Sequence, residues 1–187
     1  MVYITTSRKP SQITRRLTRF LAIALGGMKE NRGKRSVQEI IERAQAKGHY
    51  RCLLIYEHKG NPSKLCFLEE GKWLPAICLT SIVESLREPS RRLPGLSKIT
   101  ATGSLAKKMA QLFEKNDELL QGLELRITDT QITFWLDGSQ TGPVLRIAGL
   151  EEPIEEDEEE KTQTKASDAQ NEKQGESIED DEGKEEE

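Results

Sequence analysis

The chain opens on Val2-Tyr3-Ile4-Thr5-Thr6, a β-branched and aromatic run closed by Ser7 and Pro10. That pattern predicts a short strand. From Ser11 to Leu25 apolar residues recur at Ile13, Leu17, Phe20, Leu21, Ala24 and Leu25. This 3.6-residue period predicts a helix, and Gly26-Gly27 ends it because glycine readily takes the left-handed conformation. Ser36-Val37-Gln38-Glu39 has the form of a capping box. It predicts a second helix to about Lys47, with Val37, Ile40, Ile41 and Ala44 inward. Residues 51–58 form a near-continuous apolar run, expected of a strand buried on both faces. Lys59-Gly60-Asn61-Pro62-Ser63 reads as a turn and Lys64 to Glu69 as the returning strand. Trp73 to Leu86 is extended, and Pro89 to Leu96 is a connector.

The opening pattern then recurs. Ile99-Thr100-Ala101-Thr102 echoes Ile4-Thr5-Thr6-Ser7, and Ser104 is placed to cap a helix with Leu105, Met109, Leu112 and Phe113 inward. Three strands, Leu123–Thr128, Gln131–Leu136 and Val144–Ile147, close the pattern. The expected fold is α/β, a mixed sheet with packed helices in two related halves. From Glu151 onward there are no aromatics, and Ile154 and Ile178 are the large aliphatics. Such a segment buries too little surface to offset its ordering entropy, so 151–187 is expected to be a disordered acidic tail.

Charge changes the picture. The net −4 hides a split: residues 1–64 hold 14 basic and 4 acidic residues, 65–150 hold 10 of each, and 151–187 hold 4 and 18. A +10 excess over 64 residues attracts phosphates. The cations fall at polar or turn positions: Arg8 and Lys9; Arg15, Arg16 and Arg19; Lys29, Arg32, Lys34 and Arg35; Lys59 and Lys64. Arg15 and Arg19 are spaced i, i+4 and project together. Asn61 offers donors from the turn, while Ser7 and Ser11 precede the first helix, where backbone amides attract anions. The loops at 7–10 and 29–35 flank the two ends of that helix, so one face need not hold both. Tyr3, Phe20, Tyr50, Tyr56 and Phe67 do not alternate with the cations as a stacking platform would. Contacts to nucleic-acid backbone and shape are expected instead.

Other chemistry finds little support. No apolar stretch nears the ~20 residues of a membrane span, and no signal peptide is expected. Cys52, Cys66 and Cys78 are odd in number and lie in apolar runs, as reduced thiols of a cytoplasmic protein would. Gly27 to Lys34 fails as a phosphate loop, since position 28 is Met and Arg35 follows Lys34. Closely spaced Cys/His pairs for zinc are missing, and His49 and His58 are expected at the surface. No catalytic residue, metal, cofactor or small-molecule substrate is assigned.

Three segments together resemble a known family. Ile4-Thr5-Thr6-Ser7-Arg8-Lys9-Pro10-Ser11, then Asn31-Arg32-Gly33-Lys34-Arg35-Ser36, then Glu57-His58-Lys59-Gly60-Asn61-Pro62 look like the Brix domain, in compact form similar to archaeal Imp-like members. The resemblance covers about 1–150, with halves near 1–88 and 97–150, and is carried in the second half mainly by layout. It implies ribosome biogenesis: binding precursor rRNA and assisting its processing or folding, without catalysis. It implies that each half is similar to the anticodon-binding domain of class IIa aminoacyl-tRNA synthetases. It places Arg8, Lys9, Lys34, Arg35, Lys59 and Asn61 on or near the RNA surface. The acidic tail stands outside the family pattern and is expected to compete with RNA for the basic front. The rival expectation is a protein–protein adaptor in ribosome assembly, its basic surface meeting acidic partners.

Overall fold

The computed structural model describes residues 1–83 and 93–153. The end of the extended segment at Leu86, the connector from Pro89 with Arg91 and Arg92, and the acidic tail from Ile154 onward lie outside the described residues.

β1 (Val2–Thr6) is followed by α1 (Gln12–Ala24), then by a two-residue strand, β2 (Met28–Lys29), that the apolar pattern does not disclose. α2 (Val37–Ala46) and β3 (Arg51–His58) follow. β1 lies between β2 and β3 and is parallel to both. All five of its residues are buried, because helices cover both sides. Val2 and Ile4 pack with Leu17, Phe20 and Leu21 of α1. Tyr3 points the other way, with Lys47 at the end of α2 5.5 Å from its ring.

α1 starts where expected, with the Ser11 hydroxyl accepting from the Thr14 amide. Its buried face is turned from the expected one: Ile13 is 42% exposed while Thr14 and Thr18 are buried. Burial of these threonines is tolerated because each finds an acceptor, Thr18 Oγ1 donating to the Thr14 carbonyl and Thr14 Oγ1 to Glu57 of β3. Gly26 takes φ +62° and turns the chain. At Gly27 an added Cβ would sit 2.5 Å from the Val2 carbonyl oxygen, so glycine permits β2 to return alongside β1. The capping box of α2 is present in both directions.

β4 (Asn61–Glu69) pairs antiparallel with β3 through a two-residue turn, Lys59-Gly60, both with positive φ. That is the turn geometry matching strand twist. β4 thus begins three residues earlier than expected, and Pro62 sits at a register shift where a missing amide is harmless. β5 (Lys72–Trp73) folds back on β4, and β6 (Ala76–Val83) pairs with β4 on its way to the centre.

β7 (Leu96–Thr102), α3 (Ser104–Ala110), β8 (Leu123–Thr128), β9 (Gln131–Leu136), β10 (Ser139–Gln140) and β11 (Val144–Glu151) complete the described chain. The sheet has eleven strands, ordered β2-β1-β3-β4-β6-β11-β9-β8-β7, with β5 and β10 attached at the side. β1 and β3 are parallel, followed by antiparallel β4 and β6; β7 and β8 are parallel, followed by antiparallel β9 and β11. Apart from the edge strand β2 and helix α2, which the first run adds, the same plan of parallel strand pair, covering helix and antiparallel strands runs inward from each side, the two runs meeting antiparallel at β6 and β11. A single core links them beneath α1 and α3. Phe20 meets Phe134 edge to face at 4.9 Å.

Two details of the second run differ from expectation. Ser104 is not the cap of α3; Gly103 occupies that position without a side-chain bond. Asp129, from the β8–β9 turn, accepts from the Ala106 amide instead. β11 also extends past Ile147 to Glu151, which pairs with Ala76.

Candidate nucleic-acid interface

The parallel strands decide where the candidate cations meet. β1 ends at Thr6 opposite Ile55, and the Ser7 amide donates to the Ile55 carbonyl. β2 runs parallel with Lys29 beside Ile4, and Thr5 Oγ1 donates to the Glu30 carbonyl. The loop 31–35 thus leaves the sheet at the end where 7–10 leaves it, although α1 lies between them in sequence. The Lys59-Gly60 turn caps β3 at that end too. α1 and α2 cover opposite faces of β1, so this end is a topological switch point, the place where open α/β sheets bind ligands.

Arg8, Lys9, Lys34, Lys59 and Asn61 are exposed there. Asn61 Nδ2 donates to the Lys59 carbonyl at 3.4 Å. Arg15, Arg16 and Arg19 are exposed on α1, and Arg15 lies close enough to Glu57 to favour its charge. Lys29 is half-buried in β2. Ser7 is 9% exposed, and its hydroxyl oxygen is buried without a protein partner.

Three cations depart from the expected surface. Arg32 is 3% exposed and its Nε donates to the Arg35 carbonyl at 2.9 Å. It braces the loop from inside, so it leaves the candidate interface. Gly33, at φ +61°, lets the backbone fold over it. Arg35 is half-exposed, donates to the carbonyls of Asn31 and Arg32, and pairs with Glu30 at 3.4 Å. Lys64 is half-buried and pairs with Glu151 at 2.7 Å. Its ammonium is held at the β4–β6–β11 region rather than at the turn.

Glu30 organises the α2 side. It accepts from Lys47 at 2.5 Å and Arg43 at 2.8 Å. The Lys47 ammonium, with Tyr3 and Arg43 beside it, holds its carboxyl at about 2 against desolvation. Burial and the neighbouring Glu30 in turn push the Tyr3 phenol well above its ordinary range. At the start of α1 the anion position is already filled. Glu57 accepts from the Ser11 amide at 2.8 Å and Thr14 Oγ1 at 2.6 Å. Burial opposes its charge, but these donors outweigh burial and lower its pKa. Ser11 is therefore an internal cap, and a phosphate at this end must be held by side chains and loop amides rather than by the helix terminus.

The three cysteines are buried and none is in a disulfide. Burial pushes the Cys52 thiol up to about 11, and burial with Glu151 nearby pushes Cys78 to about 12, so neither is an activated nucleophile. His49 is buried rather than at the surface, its Nδ1 3.0 Å from the Met1 carbonyl; His58 is exposed. Among the described residues no cluster of three His, Cys, Asp or Glu could hold a metal, and no helix is long and apolar enough to cross a membrane.

No family model matches the chain. Curated relatives do. A probable Brix domain-containing ribosomal biogenesis protein of Methanothermobacter thermautotrophicus is 39% identical over 67 residues, 36% of this chain and 41% of that protein. The protein of the same name from Pyrobaculum aerophilum is 36% identical over 105 residues, 52% of this chain and 58% of that one. The aligned stretches thus span less than two thirds of either relative. Among solved structures, a probable ribosomal biogenesis protein from Aeropyrum pernix K1 superimposes with a TM-score of 0.65 at 23% identity, covering 82% of this chain and 97% of that one. An archaeal Imp4-like protein does so with a TM-score of 0.63 at 22% identity, covering 81% and 99%. The Brix resemblance read from the three sequence segments is shared by these relatives, and the α/β mixed-sheet fold by these structures.

Proposed function

We propose that this chain is a non-catalytic ribosome biogenesis factor that binds precursor rRNA by its phosphates. The relatives' names support the biogenesis role. The observation that carries RNA binding is the convergence of Arg8, Lys9, Lys34 and Lys59, all exposed, at the carboxyl ends of β1, β2 and β3. The short strand β2 is what returns the 31–35 loop to that end. Arg15, Arg16 and Arg19 extend the positive surface along α1, while Arg32, Arg35 and Lys64 shape the scaffold. The anticodon-binding-domain plan for each half belongs to the same reading, and the repeated strand order supports it.

The protein acts here as a clamp that holds or anneals rRNA structure during maturation. A titration of purified protein with precursor rRNA over a range of salt separates this reading from the adaptor. Several phosphate contacts give a linear fall of log affinity with log salt, roughly −0.7 per contact on single strands. A flat dependence, or no binding, overturns the proposal and favours acidic protein partners.

A further inference from the structure

The two runs of strands are not dressed alike. In the first, α2 covers the sheet face opposite α1. In the second, among the described residues, no helix covers the corresponding face of β7, β8 and β9. β8 alternates between buried Leu123, Leu125 and Ile127 and half-exposed Glu124, Arg126 and Thr128. The register places Lys98, Glu124 and Trp135 in one row across the strands, and Thr100, Arg126 and Thr133 in the next. Arg146 lies opposite Gln131 and donates to its side chain at 2.7 Å.

At the centre is a cation–π pair. The Arg126 guanidinium carbon stands 4.1 Å from the centre of the Trp135 ring. Both groups are fixed in advance. Trp135 Nε1 donates to Thr133 Oγ1 at 3.0 Å, and Arg126 donates to Glu124 at 2.8 Å. Glu124 is occupied further by Thr100 at 2.7 Å and Lys98 at 3.2 Å. These groups therefore carry a surplus of two positive charges, since Lys98 and Arg126 share the one carboxylate and Arg146 bonds only the neutral Gln131. These rows hold no aliphatic side chain, so an amphipathic helix would find little to bury. An indole with a guanidinium over its ring is instead a surface on which nucleobases stack.

We propose that this face binds an unpaired stretch of RNA, with a base stacking on the Arg126–Trp135 pair and Lys98 and Arg146 facing the phosphates. The proposal rests on the RNA-binding reading above and adds to it a preference for single strands. The basic end grips phosphates of any RNA; the second face requires a base free of its partner.

The test compares binding of the full chain to an unstructured 12-nucleotide RNA and to a blunt duplex of the same length. Trp135→Leu is expected to weaken single-strand binding about tenfold, the loss of one stacked base, and to leave duplex binding unchanged. Trp135→Phe restores most of the loss, because a smaller ring still stacks. A photoreactive 4-thiouridine oligonucleotide crosslinked to the unaltered protein is expected to label the peptide containing residues 131–136, which checks the site without any substitution. Equal single-strand affinity of Trp135→Leu and the parent, or crosslinks confined to residues 8–59, overturns the proposal and leaves this face to a protein partner. The broader RNA reading fails differently: substitution of Arg8, Lys9, Lys34 and Lys59 would then leave both RNAs bound as before.

Discussion

Single residues decide how much of the basic front is available to a ligand. Glu30 takes Arg43 and Lys47 at close range and Arg35 at 3.4 Å, so cations on the α2 side are spent inside the protein. The pairing leaves a signature in acid. A carboxyl held at about 2 instead of 4.5 contributes stability that is complete above 4.5 and drains away as pH falls toward 2. Glu30→Gln is expected to be less stable than the parent near neutrality, and the gap is expected to close over that interval in denaturant melts. A gap independent of pH would mean that the charge of Glu30 does not hold this cluster. Arg32 shows the opposite case, a cation in a charged loop that the fold buries against a backbone carbonyl. Nothing in its neighbours along the sequence distinguishes it from Lys34, because the brace appears only once Gly33 has turned the loop.

Among the elements, α1 and α3 share a device. Each helix follows the first parallel strand of its run, and each has its start met by a carboxylate from the second parallel strand or just past it, Glu57 near the end of β3 for α1 and Asp129 in the β8–β9 turn for α3. Glu57→Ala and Asp129→Ala are each expected to cost about 0.5–2 kcal/mol, the range for a lost hydrogen-bonding side chain at a helix start. The two losses are expected to add within about 0.5 kcal/mol, as for independent sites. Strong non-additivity in the double variant would contradict separate capping. The sequence discloses the ends of α1 and α2, the β3–β4 hairpin and the capping box, all of which rest on residues within one or two turns of each other. It does not disclose caps that arrive from 23 to 46 residues away. It also hides β2, whose two residues are too short to show a period, and so hides the return of the 31–35 loop. The buried face of α1 is misread for a related reason. Thr14 and Thr18 look polar in the sequence and are apolar in effect once their hydroxyls are satisfied. Trp135 is missed because it follows the core residue Phe134 in an uncharged strand and reads as more core; the polar–apolar alternation of β8 and the start of β9 is the signal that points to an open face.

For the molecule as a whole, a strongly positive front need not be a binding surface unless its charges converge. Of the cations singled out along the first 64 residues, Arg32, Arg35 and Lys64 are taken up internally. Arg8, Lys9, Lys34 and Lys59 stand exposed where β1, β2 and β3 end. In the proposed clamp, position rather than total charge decides binding, and experiment separates the two. One variant carries Arg8→Gln, Lys9→Gln, Lys34→Gln and Lys59→Gln. A control carries the same loss of charge at exposed sites elsewhere, Lys72→Gln, Lys107→Gln, Lys108→Gln and Lys115→Gln. The most direct measurement is the slope of log affinity against log salt for precursor rRNA with each protein. The first variant is expected to bind weakly with a slope shallower by roughly 3, about 0.7 for each lost contact, while the control keeps the parent slope. Equal slopes for the two variants would contradict a phosphate clamp at this end of the sheet.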